Sequence, residues 1–225
     1  KINLFKKVAY QFSYIKLILN QSYPLILQHV ISIMSWEYFY ILIEHHGARD
    51  LAVSNTMRNL FGFFGCFTWA FAATTNTMVS NVIGQGRKEE VLPLIYRILK
   101  WSMGFACIVF IFLNVFPRAF LGIYGQDEDF IQAGIPVLRV VSIAMIMMSA
   151  ATVWVNAVTG TGNSKMNLFT EVATIIFYLV YVYIVLEKLN MPITWGWASE
   201  WLYWSIMFIP SFWYITSNRW KKINL

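Results

Sequence analysis

The chain has 225 residues, 58% of them hydrophobic and 12% charged, with a formal net charge of +6 and a mean hydropathy of +0.56. Soluble domains carry roughly 25% charged residues, so this balance excludes an ordinary water-soluble domain and makes lipid the solvent. The positive charge does not point to nucleic acid, because Lys and Arg are scattered between apolar runs and form no single basic face.

In chain order, residues 1–22 come first. Lys6, Lys7 and Lys16 alternate with Phe5, Val8, Phe12, Ile15 and Leu19 at helical spacing, the pattern of an amphipathic interfacial linker. The sequence opens on Lys1 without a Met and without a signal-peptide pattern, as a piece of a longer chain does. Six apolar segments follow, at about 23–46, 51–83, 91–116, 133–160, 166–187 and 194–216. Each meets the roughly 20 residues that a spanning helix needs. The second exceeds that need, which predicts a tilt or an extension into the cytoplasm. Residues 218–225 form a basic tail. The expected fold is an all-α membrane protein, a bundle of six transmembrane helices over residues 23–217.

Cytoplasmic loops hold an excess of Lys and Arg. With the N-terminus inside, the inner segments hold Lys1, Lys6, Lys7, Lys16, Arg87, Lys88, Arg97, Lys100, Lys165, Arg219, Lys221 and Lys222. The outer loops hold only Arg49, Arg118 and Lys188, beside the acids Asp127, Glu128 and Asp129. Both termini are therefore expected in the cytoplasm. Cys66 and Cys107 lie inside apolar runs, and there is no Walker loop, HExxH or nucleophile–base pairing. Neither an enzyme nor a cofactor or metal site is expected, and nucleic acid is not an expected partner.

Three stretches carry a family resemblance. The second span ends in VSNVIGQG, with Gly84 and Gly86 placed as in the motif that closes the second helix of each MATE lobe. The fourth ends in NAVTGTGNSK, where Gly160 and Gly162 match a glycine turn of that family and Thr159, Asn163 and Ser164 replace its usual Arg, Asp and Thr. The first runs from Pro24 through Ser35, Trp36 and Glu37 to His46 and Gly47, similar to the family's seventh helix. The chain thus resembles the C-terminal six-helix lobe of a multidrug-and-toxin-extrusion (MATE) transporter of the MOP type. The resemblance implies a multi-pass antiporter of the plasma membrane, the inner membrane in bacteria. Working with an N-terminal six-helix lobe, it would export small organic, often cationic, compounds in exchange for Na+ or H+, the coupling ion, by alternating access.

An ionisable group inside a membrane span asks for a reason. Glu37, between Trp36 and Tyr38, is read as the one deep carboxylate. It is a cation-exchanging group, a carboxylate reaching the headgroups, or the partner of Arg58 or His29. Where many family members carry an acid, eight residues after the proline, this chain has Ser32. Asn55, Asn59 and Asn156 are ligand candidates or interhelical hydrogen-bonding residues. Arg58 is a gate or a salt-bridge residue near the outer mouth. Gln28 and His29 read as packing residues, and Glu171 as a solvated group near the cytoplasm. Aromatic and Met side chains, Phe61, Trp69, Met148, Trp154 and Tyr178 among them, face lipid or line a cavity for greasy cations. Two competing functions remain: a lipid-linked oligosaccharide flippase, which would need more than Arg58 and Arg139 inside its spans, and a non-transport membrane scaffold.

Overall fold

The computed structural model describes residues 12–124 and 127–222. Its helices are α1 (Phe12–Glu44), α2 (Ala48–Gly84), α3 (Val91–Val115), α4 (Pro117–Gly122), α5 (Glu128–Gly160), α6 (Ser164–Val182), α7 (Ile193–Trp197) and α8 (Ser199–Thr216). A π-helical turn, Tyr183–Lys188, extends α6, and 3-10 turns at Lys88–Glu90 and Arg219–Lys222 sit before α3 and after α8. No strand occurs among the described residues.

The helix ends follow local chemistry. Asp127 caps α5, its Oδ1 accepting from the Phe130 N–H at 3.0 Å, and Asn163 caps α6 through the Met166 N–H at 3.4 Å. Pro24, Pro136 and Pro210 lie inside α1, α5 and α8, which neighbouring helices allow in lipid. α2, at 37 residues, is about 55 Å long; its span is the overlong one of the sequence. α1 runs through residues 12–22 without a break before Pro24, so this part of the expected linker belongs to the first long helix. Residues 1–11 lie outside the described residues.

Among the described residues, four helical segments are long and apolar enough to cross a bilayer by length and composition: Ile15–Glu44, Lys88–Val115, Glu128–Gly160 and Ser164–Lys188. α2 carries Asn55, Arg58 and Asn59, and α8 is rich in Trp and Tyr. α5 is the hub, packed on α2, α3 and α8, while α6 holds α1 to α8. One buried cluster gathers Phe39, Met57, Leu113, Leu138 and Trp197; a second gathers Val79, Ile95, Trp154, Val158 and Trp220. Hydrogen bonds between helices tie the bundle where lipid offers no hydrophobic drive. They include Ser102 Oγ with Ser149 Oγ at 2.6 Å, Asn114 Nδ2 to Ser142 Oγ at 2.9 Å, and Trp197 Nε1 to Ser54 Oγ at 3.1 Å.

The described part of the basic tail, residues 218–222, is folded onto the bundle. Trp220 is buried and donates to the Ile215 carbonyl at 3.0 Å. Lys221 Nζ meets Glu89 at 2.7 Å, and Lys88 Nζ reaches the Lys221 carbonyl at 3.0 Å.

The motif glycines divide by cause. Gly86 and Gly162 hold φ of +76° and +83°, a left-handed conformation that costs other residues roughly 1 kcal/mol. Gly160 has an ordinary φ, but a Cβ there would lie 2.9 Å from the Asn76 carbonyl oxygen. At Gly84 neither cause applies. Gly162→Ala is therefore expected to lower the stability of the lobe by about 1 kcal/mol, and Gly84→Ala by less, read as thermal midpoints of the purified protein.

Candidate functional site

A cavity of about 740 Å³ lies between α1, α2, α5, α6 and α8. α1 contributes Gln28, Ser32 and Trp36; α2 contributes Arg58, Asn59 and Trp69; α5 contributes Met148, Thr152 and Asn156. α6 contributes Glu171 and Tyr178, and α8 Glu200, Tyr203, Trp204 and Met207. Arg58, Asn59 and Trp69 are exposed and set the rim. The floor is a buried layer of aromatic rings and acids.

The buried carboxylates among the described residues are Glu171, with 0% exposure, and Glu200, with 5%. Glu171 Oε1 accepts from the Tyr203 hydroxyl at 2.6 Å, and its Oε2 from Gln28 Nε2 at 3.3 Å. Ser32 Oγ lies 3.5 Å from the same Tyr203 hydroxyl. Glu200 Oε1 accepts from Trp36 Nε1 at 3.2 Å, and its Oε2 from Trp204 Nε1 at 3.0 Å. The expectation of a solvated Glu171 fails because its side of α6 packs against α1 and α8. A helical position near the end of a span is not a solvated position when two neighbouring helices cover it.

Glu37 is placed differently from the sequence expectation. Its side chain is 57% exposed, and Glu37 Oε1 pairs with Arg58 Nη2 at 3.5 Å. The pair with Arg58, one of the alternatives open in the sequence, is present in the structure. Arg58 also lies over the Trp36 and Tyr40 rings, 5.5 and 5.2 Å from their centroids. Exposed pairs of this kind contribute at most about 1 kcal/mol. Glu37→Gln should thus shift the unfolding free energy by less than about 1 kcal/mol, measured by thermal or denaturant melts. A loss of several kcal/mol would mean that the pair is covered.

The other candidates separate. Trp36, Arg58, Asn59 and Asn156 line the cavity; Asn55 is exposed on α2 and does not. Asn156 Nδ2 bonds the Thr152 carbonyl of its own helix at 2.9 Å, which leaves its amide oxygen available. The four motif glycines stand at helix ends, outside the lining. Of the aromatics and methionines, Phe61, Trp69, Met148 and Tyr178 line the cavity, whereas Trp154 is packed between Tyr96 of α3 and Phe212 of α8. Glu200 was missed in the sequence. The signal was present: one acid in the aromatic run WGWASEWLYW, a place where a charge in lipid needs several donors.

The arrangement can attract cations. Two buried acids and one exposed Arg line the cavity, and the walls offer Trp and Tyr faces on which an organic cation is attracted by the ring quadrupole.

Solved structures share this fold. The chain superposes on an outward-facing multidrug resistance MATE family transporter of the MOP superfamily with a TM-score of 0.83 at 15% identity, covering 93% of this chain and 47% of that one. A MATE bound to MaD3S gives 0.84 at 14% identity, covering 93% and 49%. A MOP superfamily transporter from Pyrococcus furiosus, described as having a binding pocket of reversed polarity, gives 0.82 at 15%, covering 91% and 45%. A probable multidrug resistance protein NorM from Xanthomonas axonopodis pv. citri (strain 306) is 27% identical over 118 residues, 52% of this chain and 26% of the relative. The chain thus spans about half the length of the solved transporters and a quarter of NorM is aligned. The MatE family model matches residues 24–184, well over half of the chain, and this protein, an all-helical membrane chain of one lobe's length, belongs to the MatE family of transporters.

Proposed function

We propose that the chain is the C-terminal six-helix lobe of a secondary antiporter that expels small organic cations in exchange for Na+ or H+. The observation that carries this reading is the cavity floor, where Glu171 and Glu200 are buried among Tyr and Trp side chains. An organic cation has there both a negative charge and aromatic faces to leave water for. A flippase for pyrophosphate-linked sugars would need basic residues in that floor, and its charged members are acids.

The partner is the N-terminal lobe, across which alternating access would take place. The reading includes six membrane crossings, both termini in the cytoplasm and residence in the plasma membrane, the inner membrane in bacteria. The distribution of Lys and Arg supports the orientation. Reporter fusions after Lys88 and after Leu225 are expected to give cytoplasmic signals, and one after Tyr124 an external signal.

The transport test uses proteoliposomes with the full-length transporter and ethidium as the substrate. Ethidium should move against its gradient when a Na+ or H+ gradient is imposed, and not when both are dissipated. The 225-residue lobe alone should give no uptake. Uptake that ignores both gradients, or that the lobe alone sustains, contradicts the assignment.

A further inference from the structure

The floor of the cavity holds two acids with different partners, and the difference is chemical. Both oxygens of Glu200 are occupied by indole N–H groups, from Trp36 and Trp204. An indole donates one hydrogen bond and has no lone pair for a metal ion. Neither of the two groups bonded to Glu200 offers a hard cation, which takes oxygen ligands, an oxygen. The surroundings are rings: Trp36 packs edge-on against Tyr40 and tilts against Phe61, and Trp204 packs edge-on against Tyr203 with centroids 4.9 Å apart. A delocalised cation is attracted to such faces and to the fixed charge behind them.

Glu171 has the opposite company. Its neighbours are the Tyr203 hydroxyl, the Gln28 amide and, through Tyr203, the Ser32 hydroxyl. Each of these carries an oxygen that accepts as well as a hydrogen that donates. The group can hold a proton or ligate a small cation with carboxylate, hydroxyl and amide oxygens.

We infer that the lobe has two separate stations, an organic-cation station at Glu200 with Trp36 and Trp204, and a coupling-ion station for Na+ or a proton at Glu171 with Tyr203, Ser32 and Gln28. The inference rests on the antiport reading and divides its labour between two residues. The stations are joined mechanically. Tyr203 and Trp204 are consecutive on α8 with their rings in contact, so one binds Glu171 and the other Glu200. A cation or proton on Glu171 displaces the donated Tyr203 hydrogen, which then turns toward Ser32. The Tyr203 ring moves with it and disturbs the Trp204 edge that fixes Glu200. The other titratable and charged groups facing the pair are His29 and Tyr40 on α1, Arg58 on α2 and Tyr178 on α6; α5 presents none to the cavity. Tyr203 is on this account a positioning residue that transmits one occupancy to the other.

The test uses the purified full-length transporter, with tetraphenylphosphonium as the organic cation and radioactive Na+ or proton release as the coupling readout. In the wild type, tetraphenylphosphonium affinity should fall at least tenfold either when NaCl replaces KCl at fixed pH or when pH falls without Na+; the arm that responds names the ion. Glu200→Gln should weaken tetraphenylphosphonium tenfold or more and keep the Na+ or proton response. Glu171→Gln should hold tetraphenylphosphonium affinity within threefold and abolish its dependence on the ion. Tyr203→Phe, which keeps the ring but removes the hydroxyl from the Glu171 station, should weaken the Na+ or proton response, hold tetraphenylphosphonium affinity within threefold and cut the antagonism between the two below threefold. If either Gln variant loses both responses together, or if the two losses are exchanged, there is one shared site and the two-station inference is wrong. A wild type that binds no tetraphenylphosphonium removes the antiport reading itself and this inference with it.

Discussion

Gly160→Val is expected to destabilise the lobe by about 3 kcal/mol or more, the upper range for overpacking. A Cβ on Gly160 would stand 2.9 Å from the Asn76 carbonyl oxygen and 2.9 Å from the Val79 Cβ. Neither atom can move without shifting α2, and α2 against α5 is a principal seam of the bundle. Gly160→Ala already needs that shift and should cost about 1–3 kcal/mol. Gly196 makes the control. A Cβ there meets the Leu186 Cδ2 at 2.8 Å, but that atom is the tip of a side chain with other rotamers. Gly196→Ala should therefore cost less than about 1.5 kcal/mol. Melting midpoints of the three variants in one detergent check the order, and a Gly160→Ala midpoint equal to wild type would mean that the seam is looser than this geometry.

Glu200→Lys is the second substitution with a large expected effect, and the sign follows from donors and acceptors. Trp36 and Trp204 present two N–H groups to position 200. An ammonium has only donors, so the variant would bury a cation facing two donors with no acceptor between them. Breaking a buried, hydrogen-bonded charge in this way costs about 3–5 kcal/mol, enough to prevent accumulation of folded protein. Glu200→Gln removes the charge but keeps one amide oxygen for an indole N–H. Its stability should fall by only about 1–3 kcal/mol, the cost of the one indole N–H left facing the amide NH2, and ethidium efflux should be lost. Yield of monodisperse protein separates the first variant from the other two, and the transport assay separates the second from wild type.

Much of the fold was legible because lipid enforces it. Runs of apolar residues ended by GQGRKEE, GTGNSK and EKLNMP mark where chain polarity changes, and the long helices turn close to those marks. The overlong α2 was visible by counting residues. The site was less legible, since helical pattern reveals a face only when polar and apolar faces differ in composition. Glu37 drew attention by its place in the middle of an apolar run, but its register on α1 turns it to the exposed side beside Arg58. Glu171 is eight positions into a helix whose packing on α1 and α8 no local pattern encodes. Glu200 depends on Trp36, 164 residues away in sequence, and a donor so distant cannot be read from the stretch around the acid. Gly160 was recognised as a motif glycine, yet the reason for it, the Asn76 carbonyl, belongs to another helix.

The folded tail sets an order of events during synthesis. Glu89 and Lys88 leave the ribosome long before their partner Lys221, which lies 132 positions after Glu89 in the chain. Until then the turn between α2 and α3 has no ammonium or carbonyl clamp from Lys221, and the cluster around Val79 and Ile95 lacks Trp220. The helices can enter the bilayer one by one, but the end of the lobe that carries the α2–α3 turn is completed only when its last described turn emerges. A nascent chain halted shortly before Trp220 is therefore expected to be open to proteases at the α2–α3 turn, and emergence of Trp220 and Lys221 closes it.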